Sequence, residues 1–184
     1  MKPRILFYDS CSWRAILTLV VVLAIVPFGH CQSPQSTAPP QLYVSRGACP
    51  FECCTYQQWI ANRTVALMDR PGGQSIGRVR KHDKVLAITG EIRTHPLRFQ
   101  IREKGPDMEA GTVPVGSTVY LLHPVGEGGW LVWVGGRIIE MDPQYKGPGP
   151  VYQWWAKIKI KSGQSGWVRM DANDLSFDNV DLCG

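Results

Sequence analysis

Hydrophobic and polar residues alternate in short runs from residue 63 onward, with turn-forming residues between the runs. In LRFQIR, Leu97, Phe99 and Ile101 fall on one face and polar residues on the other, as in a half-buried strand. Further segments predicted as strands are 64–68, 76–80, 84–92, 118–123, 130–134 and 137–141, with a hairpin at 154–170. No run after residue 31 keeps a helical period over ten residues, although 54–62 has room for one helical turn. So many short strands predict an all-β chain that folds as small barrels or sandwiches.

Glycine residues predict how these strands are joined, and the alternation of residue types predicts which face of a strand each side chain occupies. The dipeptide Gly135-Gly136 between two apolar runs is typical of a two-residue hairpin turn. In 84–92, Val85, Ala87 and Thr89 are predicted to share one face, against Leu86, Ile88 and Gly90 on the other.

The first 31 residues predict an export signal. Lys2, Arg4 and Arg14 precede an uncharged apolar run at 15–29, which is shorter than the roughly 20 residues of a membrane span. Small residues before Gln32 favour cleavage there, with lipidation of Cys31 as the first alternative and an uncleaved anchor as the second. Residues 32–41 have no charge and predict a flexible linker. We therefore expect an extracytoplasmic protein, in the periplasm, at the cell surface or secreted.

Charge excludes one function class. The whole chain has 20 basic and 15 acidic residues, and the signal contains three of the basic residues and one acidic residue. The mature chain therefore keeps 17 and 14, a net charge of +3. This mild excess does not favour a nucleic-acid partner, which calls for a strong basic patch.

Three segments resemble a bacterial SH3-like (SH3b) domain: ALMDRPGG, IGRVRKHDKVLAI and WWAKIKIKSGQSGWV. The resemblance implies small SH3-like barrels over 63–184. The long separation of the last two segments favours two units, one from 63–92 plus 152–171 and a second from 93–151 inserted in it. A tandem pair that divides near residue 95 is the alternative. The cysteine-rich lead segment, 42–62, lies outside the resemblance.

The same resemblance implies a binding function. Domains of the SH3b family commonly serve as binding modules, and many hold cell-wall hydrolases on peptidoglycan. No nucleophile elbow, phosphate loop or metal-binding helix motif occurs in the sequence, which predicts a protein that is not an enzyme and has no cofactor. We expect a module for a cell-envelope polymer or peptide, with a cell-wall glycan, a peptide or an envelope protein as partner. A scaffold or assembly subunit with exposed aromatics is the alternative.

Four cysteines remain in the folded part, namely Cys49, Cys53, Cys54 and Cys183. An even number in an oxidising compartment predicts disulfides. Because a bond between the adjacent Cys53 and Cys54 is strained, Cys49 is predicted to pair with one of these two, and the other with Cys183. A zinc site or a reactive thiol is the alternative, although the spacing CxxxCC is not a usual zinc knuckle.

Aromatic residues are the candidate binding residues. Alternation in WWAKIKIK predicts that Trp154 faces the core and that Trp155 is half-exposed among lysines. Trp130 and Trp133 fall on opposite faces of one strand, so one of them should face outward. The predicted groove combines the following residues: Tyr120, Trp130 or Trp133, Tyr152 and Trp155.

The direction in which Trp167 faces depends on the length of the turn before its strand. A two-residue turn at Ser162-Gly163 places it inward, opposite Ile158, and a three-residue loop turns it outward, opposite Lys159. In the outward case it joins the candidate binding residues.

Overall fold

The computed structural model describes residues 37–103, 113–126, 128–171 and 176–181, all within one compact unit. These residues form twelve strands and no helix, which confirms the all-β class. The predicted signal and Cys31 lie outside the described residues. In the part of the chain that is described, no helix is long and apolar enough to cross a membrane. The strands are β1 Tyr43–Arg46, β2 Gln58–Ala61, β3 Val65–Met68, β4 Ser75–Val79, β5 Lys84–Thr94, β6 Leu97–Gln100, β7 Thr118–Gly126, β8 Gly129–Val134, β9 Arg137–Met141, β10 Tyr152–Lys159, β11 Ser165–Met170 and β12 Phe177–Asp178.

Eight strands form a curled, half-barrel sheet in the order β12-β2-β5-β10-β11-β3-β4. β1 pairs with β5 over Glu91–Thr94, beyond the end of β2 along the same edge. The cysteine-rich lead segment therefore supplies two strands of this sheet. Since Gln58–Ala61 is extended and pairs with β5, the helical turn expected within 54–62 is not formed over these residues.

A β-bulge interrupts the long strand β5. Lys157 pairs with Thr89 and Ile158 with Ala87, so Ile88 has no partner opposite it on β10. The bulge shifts the alternation by one residue, and Ile92 rather than Glu91 enters the core. The prediction that Thr89 shares the face of Val85 and Ala87 is therefore wrong, because local alternation does not reveal a bulge.

The core of the first sheet lies on its concave face. Its largest fully buried side chains include Trp59, Trp154 and Phe177, and Trp59 packs against Phe177 with ring centroids 5.6 Å apart. Trp154 is 1% exposed, which confirms the inward position predicted for it. The rest of the core is formed by aliphatic residues and Met170 from the inward positions of β2, β3, β4, β5, β10 and β11, together with Val180 after β12.

The second sheet is a four-stranded antiparallel meander, β6-β7-β8-β9, with a separate core around Val119, Leu121 and Val132. The hairpin between β8 and β9 turns at Gly135 and Gly136, which have φ of +55° and +82°. Positive φ at both central residues is what a type I′ turn requires, so the hairpin predicted from this glycine pair is confirmed.

Chain order places the second sheet between β5 and β10, which are neighbours in the first sheet. The strands before and after it thus pair directly with each other. The division into two SH3-like barrels, 63–92 plus 152–171 and 93–151, stays a prediction.

Candidate binding groove

All three described cysteines are in disulfides. Cys49 bonds to Cys54, with Cα atoms 5.8 Å apart, and Cys53 is also disulfide-bonded. Cys183 lies outside the described residues. Disulfides are compatible with an oxidising compartment. None of these three residues offers a thiolate for catalysis or metal binding, and no cluster of potential metal ligands occurs among the described residues.

The cysteine segment packs on one end of the first core. The Tyr56 hydroxyl donates to Ala48 O at 2.5 Å and accepts from Trp154 Nε1 at 3.2 Å. The Phe51 ring meets Trp154 edge-on, with centroids 5.7 Å apart. These contacts give the segment a structural role around a buried tryptophan.

The C-terminal strand region runs beside the same segment. Cys54 forms a β-bridge with Asp181, and Thr55 N donates to Val180 O at 3.0 Å. The described chain end therefore lies against the lead segment through backbone hydrogen bonds.

The predicted aromatic groove divides between the two sheets. On the second sheet, Tyr120 and Trp133 face each other across β7 and β8, on the face away from its core. Trp133 Nε1 donates to Thr37 O at 3.2 Å, and its ring contacts Tyr43 with centroids 6.3 Å apart. Trp130 packs instead against the core of this sheet and near Tyr145. The two tryptophans of β8 lie on opposite faces, as predicted.

Trp155 is 4% exposed, so the prediction that it is half-exposed is wrong. It does face away from the core, but long side chains flank it: Glu91 and Arg169 lie directly opposite on the two neighbouring strands. Gln153 Oε1 also accepts from its indole nitrogen at 3.4 Å. Alternation predicts the face of a residue and not what covers that face.

Trp167 faces outward and is half-buried. Residues 161–163 form a three-residue loop, with Gly163 at φ +90°, and Ile160 N donates to Gln164 O at 3.0 Å. Trp167 pairs with Lys157 rather than with Lys159. The three-residue loop thus predicts the outward orientation of Trp167 correctly, but its cross-strand partner is Lys157 rather than the expected Lys159.

Tyr152 and Trp155 contribute to an open groove of about 840 Å³. It follows β10, β11 and β3 and reaches the segment at Pro150 and Val151, and the core residues Trp154 and Met170 also border it. Its polar and charged residues are Arg63, Thr64, Gln153, Arg169, Asp171 and Ser176. Tyr120, Trp130, Trp133 and Trp167 do not line it.

Two arginines and one carboxylate set the charge of the groove. Arg63 Nε donates to Ser176 Oγ at 2.8 Å, which orients its guanidinium. Arg169 is exposed and has no hydrogen-bond or ion-pair partner among the described residues. Burial raises the pKa of Tyr152, and Asp171 raises it further, so this hydroxyl stays protonated and able to donate. The lining contains no histidine or cysteine to serve as a base or thiol nucleophile.

Sequence reasoning missed both arginines of the groove. Arg169 alternates with the core residues Val168 and Met170, and this period indicates its outward face. No local pattern indicates Arg63, because it lies beside β10 only through the tertiary fold. Comparisons with protein-family models, curated proteins and solved structures give no match for this chain.

Proposed function

We propose that this chain is an exported, non-catalytic SH3-like module that binds a cell-envelope polymer or peptide in the groove of the first sheet. The supporting observation is the groove of about 840 Å³, which combines the half-buried ring of Tyr152 with the unpartnered Arg169. Pockets of this size with a few convergent polar groups are typical ligand sites.

The lining suits a polymer with hydroxyl and carboxylate groups. The tyrosine ring of Tyr152 offers a flat apolar surface and a polar tip, which match sugar rings and extended peptides alike. A guanidinium binds a carboxylate through two parallel hydrogen bonds. Peptidoglycan carries both chemistries, sugar rings and peptide carboxylates, and is therefore the first ligand to test.

Cosedimentation with purified, insoluble peptidoglycan tests this function. We expect the wild-type chain to bind and Arg169→Ala to weaken binding about tenfold or more, since a hydrogen bond to a charged group contributes about 1.5–3 kcal/mol. Arg78→Ala is the matched control, because Arg78 is exposed on β4 and lies outside the groove. Failure of the wild type to bind, or equal losses in both variants, contradicts the proposal.

The outer face of the second sheet supports a second candidate, a scaffold or assembly subunit. Trp133 pairs there with Ile138, which is 42% exposed, and Leu42 is also 42% exposed. A photo-crosslinking residue in place of Ile138 should then capture one discrete envelope protein. Diffuse or absent crosslinks would exclude this candidate without affecting the groove.

A further inference from the structure

The outer face of the first sheet carries exposed aliphatic side chains near the N-terminal end of β5. Leu86 is 52% exposed and Ile88 is 46% exposed. Both alternate with the core residues Val85 and Ala87, so they lie on the face away from the core. The bulge at Ile88 leaves this residue without a partner on β10. An apolar pair at such exposure on one strand is a candidate contact surface.

Lysines surround this pair on the same face. Lys84 precedes it on β5, Lys159 lies opposite Leu86, and Lys157 lies opposite Thr89. Trp167 is the next residue across, opposite Lys157 on β11. We call these residues the lysine–aliphatic patch: Lys84, Leu86, Ile88, Lys157, Lys159 and Trp167.

No carboxylate is among the residues of the patch, and the exposed Asp178 lies two strands from Lys84, across Ile60. None of its three lysines has a hydrogen-bond or ion-pair partner among the described residues. Of the neighbouring acids, Asp83 accepts from the Arg80 N–H at 2.8 Å in the turn before β5. Glu91 is 8% exposed and pairs with Arg93 at 2.6 Å. The patch is therefore cationic and apolar at once.

We propose that the lysine–aliphatic patch binds the surface of an anionic lipid bilayer. Leu86 and Ile88 enter the boundary between headgroups and acyl chains, Trp167 lies at the headgroup level, and the lysines contact lipid phosphates. Charge complementarity favours an anionic lipid surface, and the exposed aliphatics favour a bilayer over a soluble polyanion, to which they would contribute nothing. The patch shares no residue with the groove, although Trp167 lies two residues from Arg169 on β11, and it does not depend on the function proposed for the groove.

Vesicle cosedimentation with the full chain in detergent-free buffer tests the proposal. Vesicles of phosphatidylcholine with about a third phosphatidylglycerol are compared with vesicles of phosphatidylcholine alone. We expect stronger binding to the anionic vesicles. The variants Lys157→Gln and Lys159→Gln should each weaken it about fivefold, since one lysine near such a surface contributes about 1 kcal/mol.

The aliphatic pair provides the decisive variant. Leu86→Ser with Ile88→Ser should weaken binding to anionic vesicles at least about tenfold, because burial of their exposed area is lost. The matched control is Val115→Ser with Ile138→Ser, which removes two equally exposed apolar side chains elsewhere. Circular dichroism confirms that each variant is folded.

Three outcomes overturn the proposal: equal binding of the wild type to both vesicles, no binding to either, or undiminished binding of the Leu86→Ser, Ile88→Ser variant. The last outcome would identify a general polyanion site. The Leu86→Ser, Ile88→Ser variant should still bind peptidoglycan, because neither residue lines the groove, so failure of this proposal is distinguishable from failure of the groove.

Discussion

The hydroxyl of Tyr56 joins the cysteine segment to the core of the first sheet. It donates to Ala48 O at 2.5 Å and accepts from Trp154 Nε1 at 3.2 Å. Trp154 is 1% exposed, so water cannot easily replace the hydroxyl as its acceptor. Tyr56→Phe removes both hydrogen bonds and keeps the ring that packs on Trp59 at 5.7 Å.

The expected loss of stability follows from these two bonds. The bond to Ala48 contributes about 1 kcal/mol, and an indole N–H left without an acceptor in a buried site costs about 1–3 kcal/mol. The free energy of unfolding should therefore fall by about 2–4 kcal/mol. For a chain of this length, that corresponds to a decrease in Tm of about 6–12 °C.

Equilibrium unfolding in urea, without reductant, measures this change. Tyr145→Phe is the matched control, since the hydroxyl of Tyr145 donates to Pro148 O at 2.8 Å at an exposed site, where water replaces the lost bond. We expect the control to lose less than about 1 kcal/mol. If Tyr56→Phe costs no more than Tyr145→Phe, the buried hydrogen bonds do not hold the segment and the reasoning is refuted.

Three further predictions concern packing, pH and the disulfides. Gly90→Ala should destabilise the chain by about 1–3 kcal/mol in urea unfolding, because its Cβ would overlap the Tyr56 hydroxyl, whereas Gly77→Ala, with ordinary contacts, should have little effect. Burial lowers the pKa of His123 from 6.5, so the unfolded chain binds the proton more tightly than the folded chain does. The free energy of unfolding should therefore fall by up to about 1.4 kcal/mol per pH unit between pH 7 and pH 5. His123→Asn should reduce this pH dependence. Peptide mapping without reductant should find Cys53 bonded to Cys183, and a free thiol at either cysteine would contradict the predicted pairing.

Alternation along the chain was sufficient to predict strands β3 to β11. Each of the predicted segments overlaps an observed strand, and Gly135-Gly136 forms the predicted turn. These features depend on neighbouring residues, whose side chains alternate between the two faces of a strand. The sequence also limited the disulfides to two patterns, and the bond between Cys49 and Cys54 is one that it allowed.

Local sequence patterns predicted the structure less well where a residue's neighbours in the fold are distant in sequence. The short strands β1, β2 and β12 were missed, because they are defined by pairing with β5 or, for β12, with β2. Trp155 has the predicted face, but Glu91 and Arg169 lie beside it only once β5, β10 and β11 pair. The aromatic residues of the predicted groove belong to two different sheets, which the sequence could not show because the pairing of distant strands decides it.

The order of residues along the chain was thus enough to predict the all-β class, the faces of most strand residues and the limits on cysteine pairing. The burial of Trp155, the change of face that the bulge at Ile88 causes within β5, and the meeting of Arg63 and Arg169 in one groove became visible in the folded chain alone. Side-chain alternation is a property of a single strand, whereas burial and grooves arise between strands that are far apart along the chain.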